Sequence, residues 1–287
     1  MIVSATTGRP VRVPRPGVGA RVRRRLLTVV ACTAIALGLV ATPSGAITGG
    51  QRDGERHPYV GGTVLYYAPR NETIVNCTGS LISTTVFLTA AHCGRHGSTR
   101  SVTFDEVFDP ENSPRYQGTF YAHPAYDPAQ QFHNDVAVIV LHEPVPGVDP
   151  SALPKLPEAG LLDRMKADGS LNQSTQFTSV GYGFLGYTTE PGGQTRVRGQ
   201  IRHYSVGSFN ALAPNQLHLS QNAALDDGGT CNGDSGGPNF LGGGDHETLV
   251  IAGLTSTGDT YCKATNVTYR VDTESARRFL GQHVPLP

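Results

Sequence analysis

From Ile47 onward the chain alternates short runs rich in Val, Ile, Thr and Tyr with Gly, Pro and Asn punctuation. Runs of that composition and length predict strands. They fall at Val60 to Tyr67, Leu81 to Leu88, Tyr116 to Ala122 and Asp135 to Leu141, and again at Gln176 to Phe184, Arg196 to Val206, Gln216 to Ser220, Thr248 to Ser256 and Val267 to Val271. No amphipathic helical stretch interrupts them, and only the end reads as a helix. There Asp272 or Thr273 can cap a run through Ala276, Phe279 and Leu280, with Arg277 and Arg278 toward its C-terminal half. Many short strands with frequent turn signals predict an all-β sandwich or barrel, with the last helix docked on the second half. The proline-rich stretch from Glu143 to about Gly169 shows no strand pattern and reads as a crossover between two halves.

The first 46 residues follow a different logic. Seven arginines and no acid precede Leu26 to Val40, a run of 15 apolar and small residues, and Ala41 to Ala46 is a small-residue tail. This is the layout of a secretory signal peptide. The run is short of the roughly 20 residues a membrane span needs, and Arg23-Arg24-Arg25 also permits twin-arginine export. The expected organisation is therefore a signal peptide over 1–46, one β-domain over 47–155 and a second, with the terminal helix, over 156–287. Without its leader the chain carries 16 basic against 23 acidic residues, a formal net charge of −7. That balance argues against nucleic acid as a partner. Cys32 leaves with the leader, and the four remaining cysteines of an exported chain read as disulfides, for which three connectivities are possible.

The chemistry lies in three motifs. Gly233-Asp234-Ser235-Gly236-Gly237-Pro238 places a serine among residues that let backbone amides face a reacting carbonyl. A serine hydroxyl is a weak nucleophile that needs a base within hydrogen-bond reach and a third group to orient that base. Thr89-Ala90-Ala91-His92-Cys93 offers the base, and Asp135 opens the apolar run to Leu141. A Gly-x-Ser-x-Gly pattern also marks hydrolases whose histidine comes last in the chain; here it comes first.

In the order His, Asp, Ser, these motifs resemble the trypsin/chymotrypsin family of serine endopeptidases. The resemblance covers essentially all of 47–287. It implies two six-stranded antiparallel barrels with the active site between them, His92 and Asp135 from the first and Ser235 from the second. It further implies an oxyanion hole from the amides of Gly233 and Ser235, and disulfides Cys77–Cys93 and Cys231–Cys262. Gly181-Tyr182-Gly183 and Ser256-Thr257-Gly258 resemble family motifs that carry tryptophan, which this chain lacks altogether. Ser256 is then a donor to Asp135, and the backbone of Ser256 and Gly258 can pair with an extended substrate.

In the family the residue six before the nucleophile, here Gly229, lies at the base of the pocket for the side chain preceding the scissile bond. Gly229 with Val267 implies small or medium apolar side chains there; the alternative is basic specificity supplied by Asp226 or Asp227. Ile47-Thr48-Gly49-Gly50 resembles the family's mature N-terminus, whose α-ammonium pairs with the acid before the nucleophile, here Asp234. Ala46 precedes it where family zymogens commonly carry Arg or Lys, so one cut both exports and activates. The expected protein is a secreted, monomeric endopeptidase acting on polypeptides through an acyl-enzyme. It has no cofactor or metal, no nucleic-acid partner, and no membrane association after signal cleavage. The acids between Phe104 and Glu111 read as a solvated loop rather than a calcium site. The alternative function is a catalytically inactive binding or regulatory protein on the same fold.

Overall fold

The structure, a computed structural model, describes Gly8 and residues 49–130, 133–185, 187–190, 193–196 and 200–287. Apart from Gly8, the expected leader and Ile47 lie outside the described residues. The first half contributes β1 (Gln51–Arg52), β2 (Val60–Tyr67), β3 (Glu72–Leu81), β4 (Val86–Thr89), β5 (Thr99–Thr103), β6 (Tyr116–Ala122) and β7 (Ala137–Leu141). Strands β2 to β7 close a six-stranded antiparallel barrel in the order β2-β3-β4-β7-β6-β5, sealed by the β2–β5 pair. Helix α1 (Leu161–Ala167) follows the crossover.

The second half holds β8 (Gln176–Gly181), the hairpin β9 (Tyr187–Glu190) and β10 (Gly193–Arg196), β11 (His203–Leu212), β12 (Gln216–Ser220), β13 (Pro238–Leu241), β14 (Ile251–Gly258), β15 (Thr265–Arg270) and helix α2 (Glu274–Leu280). Because β8 pairs with both β13 and β11, the sheet β11-β12-β15-β14-β13-β8 closes as a second six-stranded barrel. β1 adds to β11, so the start of the described chain is stitched to the second barrel.

Several expected boundaries are corrected by tertiary context. The run Leu81 to Leu88 is two strands, because Ser83 Oγ accepts from the amides of Thr85 and Val86 and closes a turn between them. The run Arg196 to Val206 does not form one strand. β11 starts only at His203, while the amides of Phe108 and Arg202 donate to Gln200 and Glu106 and tie 200–202 to the first half. The crossover contains α1, which no sequence cap announced. Its cap is tertiary: Asp272 accepts from the amide of Leu162 through Oδ2 and from Gly160 through its carbonyl. Asp272 is thereby taken from α2, whose cap is Thr273 Oγ1, accepting from the amide of Ala276.

α2 buries Ala276, Phe279 and Leu280 in a cluster that also holds Ile251, Leu254 and Tyr269 of the second barrel, and it touches the first barrel as well. Phe279 packs against His123 just after β6, His283 against Tyr121 of β6, and Ser275 Oγ donates to Asn134 Oδ1 at 2.7 Å. The helix thus joins both barrels, beside the segment that carries Asp135.

Candidate active site

His92 sits in the single turn Ala91–Cys93 that leaves β4. The disulfide Cys77–Cys93, with Cα atoms 6.1 Å apart, holds the end of that turn to β3. Asp135 lies two residues before β7 and is wholly buried. Its two oxygens divide their work. Oδ1 accepts from the backbone amide of His92 at 3.0 Å, and Oδ2 lies 2.8 Å from His92 Nδ1. Ser256 Oγ donates to the same Oδ2 at 2.5 Å. This third bond needs an irregularity: β14 and β15 pair at Thr255↔Thr268 and then Thr257↔Val267, leaving Ser256 as the extra residue. A bulge of this kind re-aims one side chain, here toward Asp135. With Nδ1 bonded to a carboxylate, the imidazole carries its proton there and leaves Nε2 as the acceptor.

Ser235 lies between two positions of unusual backbone. Gly233 has φ +103° and its absent Cβ would come within 2.9 Å of Gly183 Cα. Gly236 has φ +79° and a side chain there would strike the backbone of Ala90 and Thr78. The loop is latched to the first barrel by Thr78, which no sequence pattern singled out beyond its place after Cys77. Its amide donates to the Ser235 carbonyl at 2.8 Å and its hydroxyl to the Gly233 carbonyl at 3.0 Å. Among the described residues, the amides of Gly233 and Ser235 have no acceptor. Unpaired backbone donors are uncommon.

His92, Ser235, Ser256 and Gly258 line one cleft of about 410 Å³, together with Thr230, Asn232 and Asp259. His92 Nε2 and Ser235 Oγ have no hydrogen-bond partner among the described residues, so the bond between base and nucleophile is not closed in this structure. Such bonds often tighten only with substrate. Gly233 and Asn232 border an adjoining cavity of about 170 Å³. The second disulfide, Cys231–Cys262, ties the serine loop to the strand end around Gly258, with Cα atoms 5.2 Å apart.

The profile of the trypsin family matches residues 52–279. The chain belongs to the trypsin family. As a trypsin-family chain it is a serine endopeptidase with polypeptide substrates. A solved structure of HL collagenase is similar in fold, with 20% identity over 83% of this chain and 96% of that one and a TM-score of 0.58. Among curated proteins none matches.

Other residues named from the sequence lie outside the trypsin-family cleft. Gly229 and Val267 do not line it. The space a side chain at 229 would enter is taken by Gln221, and Val267 sits 9% exposed in β15 between His218 and Thr257. Asp227 is buried, accepts from Ser208 Oγ, and faces a groove of about 860 Å³ that shares no lining residue with the cleft. Of the acids near 104–111, Glu106 pairs with Arg52 and Asp109 closes its own turn.

Asp234 is fully buried behind the serine loop. Burial pushes its carboxyl up to about 7, against the lowering effect of bonds from the amides of Cys231 and Gly183. Gly181 and Gly183 are glycines for this reason, since a Cβ at either would fall within 2.4 Å of an Asp234 oxygen. No cation contacts Asp234 among the described residues. Gly49, two residues after Ile47, has φ +73° and lies against Gly228, seven residues before Ser235.

Proposed function

We propose that this trypsin-family enzyme cleaves peptide bonds by acyl transfer from Ser235. The observation that carries the reading is the convergence on one cleft of Ser235 and a histidine whose Nδ1 is held by a buried carboxylate. Ser235 Oγ attacks the scissile carbonyl while His92 Nε2 takes its proton. Asp135, held by Ser256, keeps the imidazole in the accepting tautomer and stabilises the imidazolium. The amides of Gly233 and Ser235 receive the oxyanion, each worth about 3 kcal/mol in comparable enzymes. His92 returns the proton to the leaving amine, and water then releases the acyl group by the same path. Labelling with a fluorophosphonate tests this, with Ser235→Ala as control. Labelling that persists in the variant overturns the assignment, and absence of labelling in the native enzyme favours the inactive binding protein.

Export and activation form the second part of the reading. A cut after Ala46 removes the leader and frees the Ile47 α-ammonium, whose partner is Asp234. Support comes from the buried carboxyl of Asp234, which meets no cation among the described residues, and from the position of Gly49 against the serine segment. An amine gaining that partner has its pKa raised above the free value of about 7.7 to 8.0. Its contribution is complete below the free value and is lost as pH rises through the raised one. Activity should therefore fall reversibly at alkaline pH. Mass spectrometry of the secreted enzyme decides the point, because full activity from a chain starting elsewhere than Ile47 rules the pairing out.

A further inference from the structure

Asp135 is gripped at its carboxylate by the His92 amide, the His92 ring and Ser256, but the direction of its side chain is set by the residue before it. Asn134 has φ +57°, in the left-handed region that side chains rarely adopt and asparagine tolerates better than most. Its carbonyl accepts from the amide of Val136 at 2.8 Å, so the chain turns sharply across Asp135. Backbone in such a region persists only where its surroundings hold it there.

Those surroundings are a closed ring of four hydrogen bonds. Asn134 Nδ2 donates to the Ala125 carbonyl at 3.2 Å, and the Ala125 amide donates to His123 Nδ1 at 3.1 Å. An accepting Nδ1 carries no proton, which places the proton on Nε2, and Nε2 donates to Ser275 Oγ at 3.2 Å. Ser275 Oγ then donates to Asn134 Oδ1 at 2.7 Å and closes the ring. Each donor meets one acceptor, so the ring fixes the amide orientation of Asn134 and the tautomer of His123 together. Burial lowers the pKa of His123 below the ordinary histidine value, which favours the neutral imidazole that this pattern requires. The Tyr269 hydroxyl, from β15, adds a longer bond to Asn134 Oδ1 at 3.4 Å.

His123, Ala125 and Asn134 belong to the segment between β6 and β7, whereas Ser275 comes from the first turn of α2, 141 residues beyond Asn134. Phe279 keeps the helix against this segment, with its ring centroid 5.3 Å from that of His123. Ser275 is exposed, and it does not cap the helix, since Thr273 does. Neither apolar burial nor capping therefore accounts for its hydroxyl; its bonds all lead to Asn134.

We propose that Asn134 and Ser275 are positioning residues for the reaction: through the ring they hold the backbone turn that aims the Asp135 carboxylate at His92, and so tie the terminal helix to the rate of the chemical step. The inference rests on the acyl-transfer reading above.

The test measures kcat and KM on one peptide substrate for the native enzyme, Ser275→Ala, Ser275→Thr and Asn134→Gly, with a fluorophosphonate titration of competent sites and a urea unfolding curve for each. Ser275→Ala opens the ring at an exposed position and should lower kcat per titrated site about fivefold, the worth of one hydrogen bond. Asn134→Gly leaves the left-handed turn accessible but deletes the amide, and should lower it about thirtyfold. KM should stay within about twofold, because losing an interaction that acts on the transition state lowers kcat and kcat/KM together. Ser275→Thr restores the hydroxyl and should bring kcat back to within about twofold of native. In proton NMR, the downfield signal of the His92 Nδ1 proton should shift or broaden in Ser275→Ala and recover in Ser275→Thr. A ring that serves stability alone would move the urea midpoint and leave both kcat and that signal in place, which overturns the proposal. A loss confined to KM, one that Ser275→Thr does not repair, or a fall in kcat with the signal unmoved overturns it equally. Native enzyme that labels, with variants that turn over at the native rate, removes the role of the ring and leaves the protease reading intact. A native chain that never labels removes both.

Discussion

Two histidines in this molecule each hold a carboxylate at Nδ1, and only one of them borders a cleft. His92 meets Asp135 at 2.8 Å, is 31% exposed, and leaves Nε2 without a partner. His57, in the turn before β2, is entirely buried; its Nδ1 meets Asp53 and its Nε2 meets Glu247 Oε1 at 2.7 Å. Burial alone would lower the pKa of His57, but the two carboxylates outweigh it and raise it. Asp53 is shared with Arg202 at 2.6 Å, and Arg202 also reaches the carbonyls of Gly54, Val60 and Phe104. The same pairing chemistry therefore yields the proposed proton carrier in one place and a structural clamp between the two halves in the other. What separates them is the second ring nitrogen: without a partner at His92, which shares a cleft with Ser235, and consumed by a second acid at His57.

The sharpest way to break that comparison is to remove the free nitrogen. Ser235→Ala and His92→Ala should each lower kcat by about four orders of magnitude or more, with little change in urea unfolding midpoint, because the residues act as one unit. The double variant should be no worse than either single, and losses that multiply would contradict a coupled mechanism.

At His57 the expected effect moves from rate to stability. His57→Ala removes two bonds to charged groups, leaving Glu247 to Arg56 and Asp53 to Arg202, so unfolding free energy should drop by about 3 kcal/mol, while kcat per titrated site stays within about twofold. A large fall in kcat at unchanged stability would make His57 part of the catalytic machinery after all.

A smaller effect belongs to Ser256. Losing a hydrogen bond to a charged group costs about 1.5 kcal/mol, so Ser256→Ala should reduce kcat/KM roughly tenfold and leave the unfolding curve in place. An unchanged rate would mean that the bulge in β14 serves the sheet and not Asp135.

The least of the four is a pH signature. The raised His57 pKa stabilises the fold fully below its unfolded value of about 6.5, and the contribution is lost as pH climbs through the raised folded value. The stability gap between native enzyme and His57→Gln should shrink from pH 6 to pH 9. A gap that widens with pH would reverse the sign and show that His57 is held neutral. Taking the difference matters, because Asp234, raised to about 7 in the uncut chain, itself lowers stability as pH rises from about 4 to 7 in both proteins.

The all-β class, the two halves and the motifs that offer His92, Asp135 and Ser235 were legible in the chain because each is carried by local signals. Strand runs show as composition and turns, and the motifs around His92 and Ser235 are short and contiguous. The strands Val60–Tyr67 and Tyr116–Ala122 even end where the pattern ends. Elements that owe their existence to distant partners were not legible. α1 is capped by Asp272, 110 residues away, and the start of β11 is set by pairing of 200–202 with the segment after β5.

The site divides along the same line. Local sequence determined that Ser235 stands between glycines and that His92 follows β4. Only the tertiary structure decided that Thr78 latches the serine loop, that a bulge turns Ser256 onto Asp135, and that His57 is a clamp. The surroundings of Gly229 are the clearest case. The sequence offered Gly229 as an empty place, and the fold fills it with Gln221 from the adjoining strand end, since a missing Cβ is space that any neighbouring backbone can use.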